Sequence, residues 1–238
     1  MSGTAFIYPS DELEALAGAR NYYRWIISRF EPYLGPRVVE VGAGIGTFSE
    51  YLLGVPGVEQ LIAIEPAANT FPLLEAKLAA YPQAHALKGF LDEYASQLSA
   101  DSLVAVNVLE HVQKDEEFLR LAWSVVVPGG TLMLFVPAVP AIFGTLDTAF
   151  DHFRRYTRPG LGQKLEKTGW VIERISYMNF PGIVPWLVAG RILRWTSISP
   201  ASARFYDRVV MPLTARIEEM IEMPIGQSLL AIARKPTG

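Results

Sequence analysis

Cysteine is absent from the 238 residues, which excludes disulfides, thiolate metal sites, iron–sulfur ligation and cysteine nucleophiles together. Histidine is scarce: His85, His111 and His152 are the only imidazoles available as bases near neutral pH. Charge is sparse as well, at 19% of residues, and 21 Lys and Arg against 24 Asp and Glu leave a net charge of −3. No positive field exists to hold a polyanion, so nucleic acid is not an expected partner. The longest uncharged stretch, 121–146, is cut by Pro128, Gly129, Gly130, Pro137, Pro140 and Gly144, and it reads as a buried strand between turns. The N-terminus has neither a basic segment nor an apolar run behind it, which predicts a cytoplasmic protein. What the chain has in quantity is apolar residues, 50% of the total with a mean hydropathy of +0.22, enough for a sizeable core and too many for disorder.

Ser10 is placed to cap a helix with Asp11 and Glu12 in its first turn, and Leu13, Leu16, Tyr23, Ile26, Ile27, Phe30 and Leu34 continue it until Gly35 and Pro36. Beyond it, β-branched runs alternate with helical stretches. Strands are expected at 37–41, 60–65, 84–88, 102–109, 131–136 and 170–178, and helices at 46–53, 69–81, 114–126 and 159–168. That alternation predicts a doubly wound α/β sheet of seven strands, mainly parallel. The seventh is the apolar run 228–233, read as an antiparallel edge strand. About 45 residues separate it from the sixth, too many for a loop. They predict a helical insertion over about 179–224, with helices at 186–195 and 200–223, the second broken at Pro212. The whole of 1–238 reads as one domain with an N-terminal helical cover, a core over about 36–178 and 226–236, and a C-terminal helical cap.

The first strand, Arg37–Val41, runs directly into Gly42-Ala43-Gly44-Ile45-Gly46-Thr47-Phe48 and a helix. Glycines here turn the backbone sharply and admit a nucleotide-like ligand where a Cβ would not fit. Thr47 stands where the pyrophosphate fingerprint requires a third Gly or Ala, which disfavours NAD(P) and FAD. Glu65 ends the second strand, where an acid can accept hydrogen bonds from both hydroxyls of a ribose.

Together the runs VVEVGAGIGTF, LIAIEP, DSLVAVNVLEHV and VVPGGTLMLFVPA resemble the motifs of class I S-adenosylmethionine-dependent methyltransferases in order and spacing. NYYRWI at 21–26, LDTAFDHFRRYTR at 146–158 and the ending GQSLLAIARKP are similar to a bacterial small-molecule subgroup. The resemblance implies a Rossmann-like methyltransferase fold and S-adenosylmethionine as cofactor, leaving as S-adenosylhomocysteine. It would place Glu40, Gly42, Gly44 and Gly46, with Ala43 and Phe48 alongside, on the methionine and ribose, and Glu65 with Pro66 on the ribose diol. Gly89, Phe90 and Leu91 would flank the adenine, Phe90 standing where the family often has Asp. Asn107, Val108 and Leu109 would lie beneath the sulfonium, and Tyr22 and Trp25 would cover the cofactor from the N-terminal helix. A distant relative group carries Glu-x-x-Glu-His as a divalent metal site. Here the pattern is Asn107-x-x-Glu110-His111, and with one carboxylate lost no metal is expected.

The acceptor side is read from the residues. His152 lies in Asp151-His-Phe-Arg-Arg-Tyr156, after the fifth strand and so above the edge where ligands bind. It is the candidate base, with Arg154 or Arg155 and Tyr156 to grip an anionic group and His111 to organise the floor. The competing reading has Asp147, Asp151 and the arginines pinning a loop. The insertion mixes Trp186, Trp195 and Phe205 with Arg191, Arg194, Arg204, Arg208 and Arg216, which suits a lid over an apolar, acidic acceptor, a patch that meets a membrane surface, or the face of a homodimer. The activity expected is methyl transfer to a small, apolar acceptor, on oxygen. The alternatives are an NAD(P)-dependent oxidoreductase and a non-catalytic S-adenosylmethionine-binding protein.

Overall fold

The computed structural model describes Ile7 and residues 18–237. The predicted cap at Ser10 and the positions Leu13 and Leu16 lie outside the described residues. Seven strands form one sheet: β1 (Arg37–Val41), β2 (Gln60–Glu65), β3 (Ala84–Lys88), β4 (Ala100–Val106), β5 (Val126–Pro137), β6 (Val171–Met178) and β7 (Ser228–Arg234). Their spatial order is β3-β2-β1-β4-β5-β7-β6, with β7 antiparallel to both neighbours and the other pairings parallel. The helices are α1 (Arg20–Phe30), α2 (Thr47–Leu53), α3 (Phe71–Leu78), α4 (Leu91–Tyr94), α5 (Asp115–Val125), α6 (Thr145–Ala149), α7 (Arg158–Lys167), α8 (Ile183–Leu187), α9 (Pro200–Phe205) and α10 (Met211–Met220).

Strand alternation divides the core into two layers, because successive side chains leave opposite faces of the pleat. Val39 on β1 and Leu132 and Leu134 on β5 pack with Leu119 of α5, Leu161 of α7 and Trp170. Val38, Met133 and Phe135 face the other way, toward Ile26 and Phe30 of α1, Leu52 of α2 and Leu74 of α3. Helices cover both faces, so the central strands are mainly apolar, with Glu40 of β1, Ser102 of β4 and Thr131 of β5 buried among them.

That rule also explains where the seventh strand differs from the expectation. Leu229 to Ala233 are all buried, and the strand lies between β5 and β6. The edge is β6, which exposes Val171, Glu173 and Arg174. Strand β4 stops at Val106 because Asn107 adopts a left-handed φ of 53°, which breaks the extended run expected to reach Leu109.

The insertion is helical, but Pro212 does not break it. A π-helical turn over Tyr206–Val210 joins α9 to α10 without interruption. Pro212 falls in the first turn of α10, directly after that π turn. A similar π turn, Val188–Ile192, extends α8, so the first cap helix runs over 183–192 where 186–195 was expected. Ser199 caps α9 by accepting the N–H of Ser202 at 3.1 Å. The cap is tied to the N-terminal cover through Asp207, whose carboxylate accepts the N–H groups of Asn21 (3.2 Å) and Tyr22 (2.9 Å) in the first turn of α1. Those N–H groups have no partner within their own helix, and a buried acid there also meets the positive end of the helix dipole.

Candidate active site

Strands β3, β2, β1 and β4 lie side by side and end on one edge of the sheet, and the residues leaving them are Gly89, Glu65 with Pro66, Gly42 and Asn107. The chain reverses its winding between β1 and β4, which is where open α/β sheets bind ligands. Gly42, Gly44 and Gly46 take φ values of 71°, 58° and 78°. A Cβ on Gly42 would lie 2.5 Å from Cγ2 of Val108, so the turns after β1 and β4 touch with no room for a side chain.

Glu65 is buried, and its carboxylate accepts hydrogen bonds from the N–H of Gly44 (2.7 Å), the N–H of Ala67 (2.9 Å) and the hydroxyl of Thr70 (3.0 Å). It therefore locks the glycine turn. Burial raises its pKa, against the pull of the two backbone N–H groups and Thr70. Glu40, also buried, accepts the Ser49 hydroxyl at 2.5 Å. Burial pushes this carboxyl up to about 8, the Ser49 hydrogen bond and Lys77 opposing and Glu65 adding to the rise. Phe90 is exposed beside Gly89, whereas Leu91 and Leu109 point into the core. Ala43 and Phe48 are buried too, Phe48 among the rings of Phe30, Tyr23 and Tyr51.

The N-terminal cover contributes differently at its two expected positions. Tyr22 lines the cavity beneath the cap and meets Phe135 edge-on at 5.7 Å. Trp25, only 3% exposed, packs against Phe135 in the core and does not line the cavity, because helical spacing turns it inward with Ile26.

That cavity has a volume of about 460 Å³ and begins where the glycine edge ends, at Tyr22 and Asn107. Its floor holds Glu110, His152 and Arg155, and its roof is formed by Trp186, Ala203 and Tyr206 of the cap. Asp147, fully buried on α6, organises the floor. Its carboxylate accepts from His152 Nδ1 (3.0 Å), Arg155 Nε (2.6 Å), Trp186 Nε1 (3.0 Å) and the N–H of Gly144 (3.0 Å). Burial alone would raise the Asp147 pKa, but His152, Arg155, Trp186 and Gly144 together hold it below the ordinary range. An ionised acceptor at Nδ1 requires a proton on that nitrogen, which leaves Nε2 of a neutral His152 as the basic atom.

Neither arginine has the free guanidinium expected of an anion clamp. Arg155 is engaged by Asp147, donates to the carbonyl of Ala138 at 2.8 Å, and lies 4.7 Å from the Trp186 ring. Arg154 pairs with Asp115 at 2.8 Å and donates to the Gln113 carbonyl. Tyr156 turns away from the cavity: its hydroxyl donates toward the carbonyl of Leu109 and toward Asp115, both at 3.1 Å, and burial raises its pKa. These bonds tie both side chains into the floor, with Arg155 still lining the cavity and Tyr156 absent from its lining.

His111 packs edge-on to His152, ring centroids 4.8 Å apart, and burial with the neighbouring imidazole pulls it down to about 3. A pKa lowered this far favours the uncharged imidazole near neutral pH. Glu110, His111 and His152 each bring one donor atom within 4.8 Å of the others, a grouping able to hold a cation. The Asn107-x-x-Glu110-His111 spacing missed it because His152 arrives from a separate segment. His85 is exposed on β3, remote from these groups.

A family described as "Methyltransferase domain" matches residues 39–132. The ubiquinone biosynthesis O-methyltransferase of Xanthomonas axonopodis pv. citri (strain 306) is similar, 26% identical over 205 residues that cover 80% of this chain and 83% of the relative. A solved S-adenosylmethionine-dependent methyltransferase from Archaeoglobus fulgidus matches with a TM-score of 0.60 at 18% identity, covering 93% of this chain and 94% of its own. Phosphoethanolamine N-methyltransferase 2 of Haemonchus contortus, solved in complex with S-adenosyl-L-methionine, matches with a TM-score of 0.61 at 18% identity over 91% of this chain and 52% of its own. At such identities the two structures speak for the fold alone.

Proposed function

Because the chain is a class I S-adenosylmethionine-dependent methyltransferase, we propose that it methylates an oxygen of a small, largely apolar acceptor seated under the helical cap, with His152 as the base. We read the whole chain as one methyltransferase domain serving that reaction. The observation that carries the reading is the position of His152. It is oriented by Asp147 and lines an apolar cavity whose other end is Asn107, at the mouth of the glycine edge.

The edge residues fit the cofactor on their own geometry. Gly42 and Gly89 sit at positive φ, and the space a Cβ would take at each is filled by Val108 and Glu93, so glycine alone allows these two turns at the strand ends where the cofactor would bind. Glu65 and Gly44 would hold the ribose, exposed Phe90 the adenine face, and Asn107 with Tyr22 the methionine end. S-adenosylmethionine, when bound, supplies a methyl carbon made electrophilic by a positively charged sulfur. The protein's part is alignment, dehydration and one proton transfer. Trp186, Leu146 and Phe150 keep water from the reacting atoms. Nε2 of His152 takes the proton of the acceptor hydroxyl, and Asp147 stabilises the imidazolium that results. The name of the Xanthomonas relative, an O-methyltransferase, supports oxygen as the target.

The test uses His152→Ala with a panel of phenols, read as S-adenosylhomocysteine formed. Turnover should fall by about 10²–10⁴-fold, the usual worth of a positioned base, while S-adenosylhomocysteine affinity stays unchanged. Wild-type turnover in that variant would return His152 to loop pinning. The Glu110, His111 and His152 grouping favours a second reading, in which a divalent cation lowers the pKa of the acceptor hydroxyl. Chelation separates the two: activity lost with EDTA and restored by added cation supports the metal, and indifference to EDTA supports the base.

A further inference from the structure

The helix over 200–220 has two dissimilar faces. Its inner face carries Asp207, Met211 and Thr214, all buried against the rest of the protein. Its outer face carries Phe205, Val209, Leu213, Ile217 and Met220, at intervals of one helical turn, all exposed, with Phe205 at 64%, Leu213 at 61% and Met220 at 84%. An apolar stripe of this length on the outside of a protein marks an interaction surface. No helix among the described residues is long and apolar enough to cross a membrane, so whatever meets the stripe meets it from outside.

Charge selects the occupant. The stripe is flanked by Arg204, Arg208 and Arg216, all exposed. The acids of the same helix are mostly turned inward: Asp207 holds the start of α1, and Glu218 accepts the N–H groups of Asn179 (3.1 Å) and Phe180 (2.9 Å). Only Glu219 opposes the three arginines on the outer side. An apolar stripe edged by arginine fits the boundary between acyl chains and anionic headgroups, with long arginine side chains reaching back to phosphate.

The cavity opens near this surface. Leu193 and Trp195, about half exposed, also line the cavity, as do Ser199 and Ser202 at the start of the same helix. We propose that the outer face of the 200–220 helix docks on an anionic lipid bilayer and presents the Leu193–Trp195 mouth of the cavity to the membrane, so that an apolar acceptor passes in without crossing water. The route for the acceptor rests on the function proposed above; the docking does not, and it is measured without turnover.

The experiment is flotation of the full chain with phosphatidylcholine vesicles, neutral or containing about a third phosphatidylglycerol. Wild type should float with the anionic vesicles, weakly with the neutral ones, and less as salt rises. Each Arg→Gln change at 204, 208 or 216 should lower partitioning about fivefold, and Val209→Glu with Leu213→Glu should abolish it. These positions are exposed, so melting temperature and turnover of a water-soluble phenol should stay at wild-type levels in the variants. Wild type that stays at the bottom of the gradient, or variants that float as wild type does, would overturn the docking. A concentration-dependent dimer that Leu213→Glu dissolves, with no vesicle binding by either protein, would overturn it in favour of a second copy. Docking without turnover of any membrane-borne phenol would sustain the surface and count against the proposed reaction.

Discussion

Glu40 ties stability to pH with a definite sign. Its folded pKa is about 8 against an ordinary 4.5, chiefly through burial. Between those values the native state keeps a proton that the unfolded chain has released. Stability therefore falls as pH rises through this window and levels off above it. At ~1.4 kcal/mol per pKa unit, the full shift sets a ceiling of roughly 5 kcal/mol, and the part between about pH 5 and about pH 7.5 is roughly 3 kcal/mol. Glu40→Gln keeps the shape and a partner for Ser49 but removes the titration. Urea unfolding of both proteins at several pH values isolates the effect, because all other groups cancel in the difference. The variant should gain on wild type steadily from acid to neutral, most of the gain appearing before pH 8. Parallel stability curves would refute the reasoning, and so would a gap that narrows with pH. Ligand binding extends the prediction: a sulfonium or ammonium near Glu40 favours its ionised form, so wild-type affinity for S-adenosylmethionine should rise toward pH 8 and the Gln variant's should not.

Glu65→Gln replaces an acceptor of three hydrogen bonds by a group that must point a donor at one of the N–H groups of Gly44 or Ala67. A loss of ~1.5–3 kcal/mol in S-adenosylhomocysteine binding is expected by calorimetry, the scale of hydrogen bonds to a charged partner; unchanged affinity with a lowered melting temperature would make Glu65 a latch for the loop only. Gly42→Ala forces a Cβ into a left-handed turn and against Val108. It should lower the melting temperature and abolish cofactor binding, and trimming Val108 to Ala should relieve the contact without restoring the turn, so a double variant with wild-type affinity would contradict this account.

The sheet was largely legible because its strands are short, apolar and separated by helices, and each βα unit closes locally. The errors fell where one residue's backbone overrode a run. Nothing in the apolar composition of 102–109 announces that Asn107 turns left-handed, since asparagine tolerates both conformations. Likewise the proline rule predicts a break at Pro212, and only the packed structure supplies the π turn that precedes it. The position of the last strand was readable in principle: a strand apolar at every residue needs neighbours on both sides.

The placement of the glycine turn and Glu65 along one sheet edge was legible for the same local reason, since they lie at the ends of consecutive strands. The acceptor side was not, because its geometry depends on partners far apart in sequence. Asp147 reaches His152 and Arg155 within one loop, yet its third side-chain partner, Trp186, comes from the cap. With the cap in place Trp186 joins His152, Arg155 and Gly144 as a fourth donor to Asp147, and an ionised Asp147 requires the proton of a neutral His152 on Nδ1. The cap in turn is held by Asp207 on the first turn of α1, the helix that brings Tyr22 to the cavity. His152, the cap and the N-terminal helix are thus joined through two buried carboxylates, Asp147 and Asp207, so a change in the cap at Trp186 or Asp207 reaches both the proposed base and the helix that carries Tyr22.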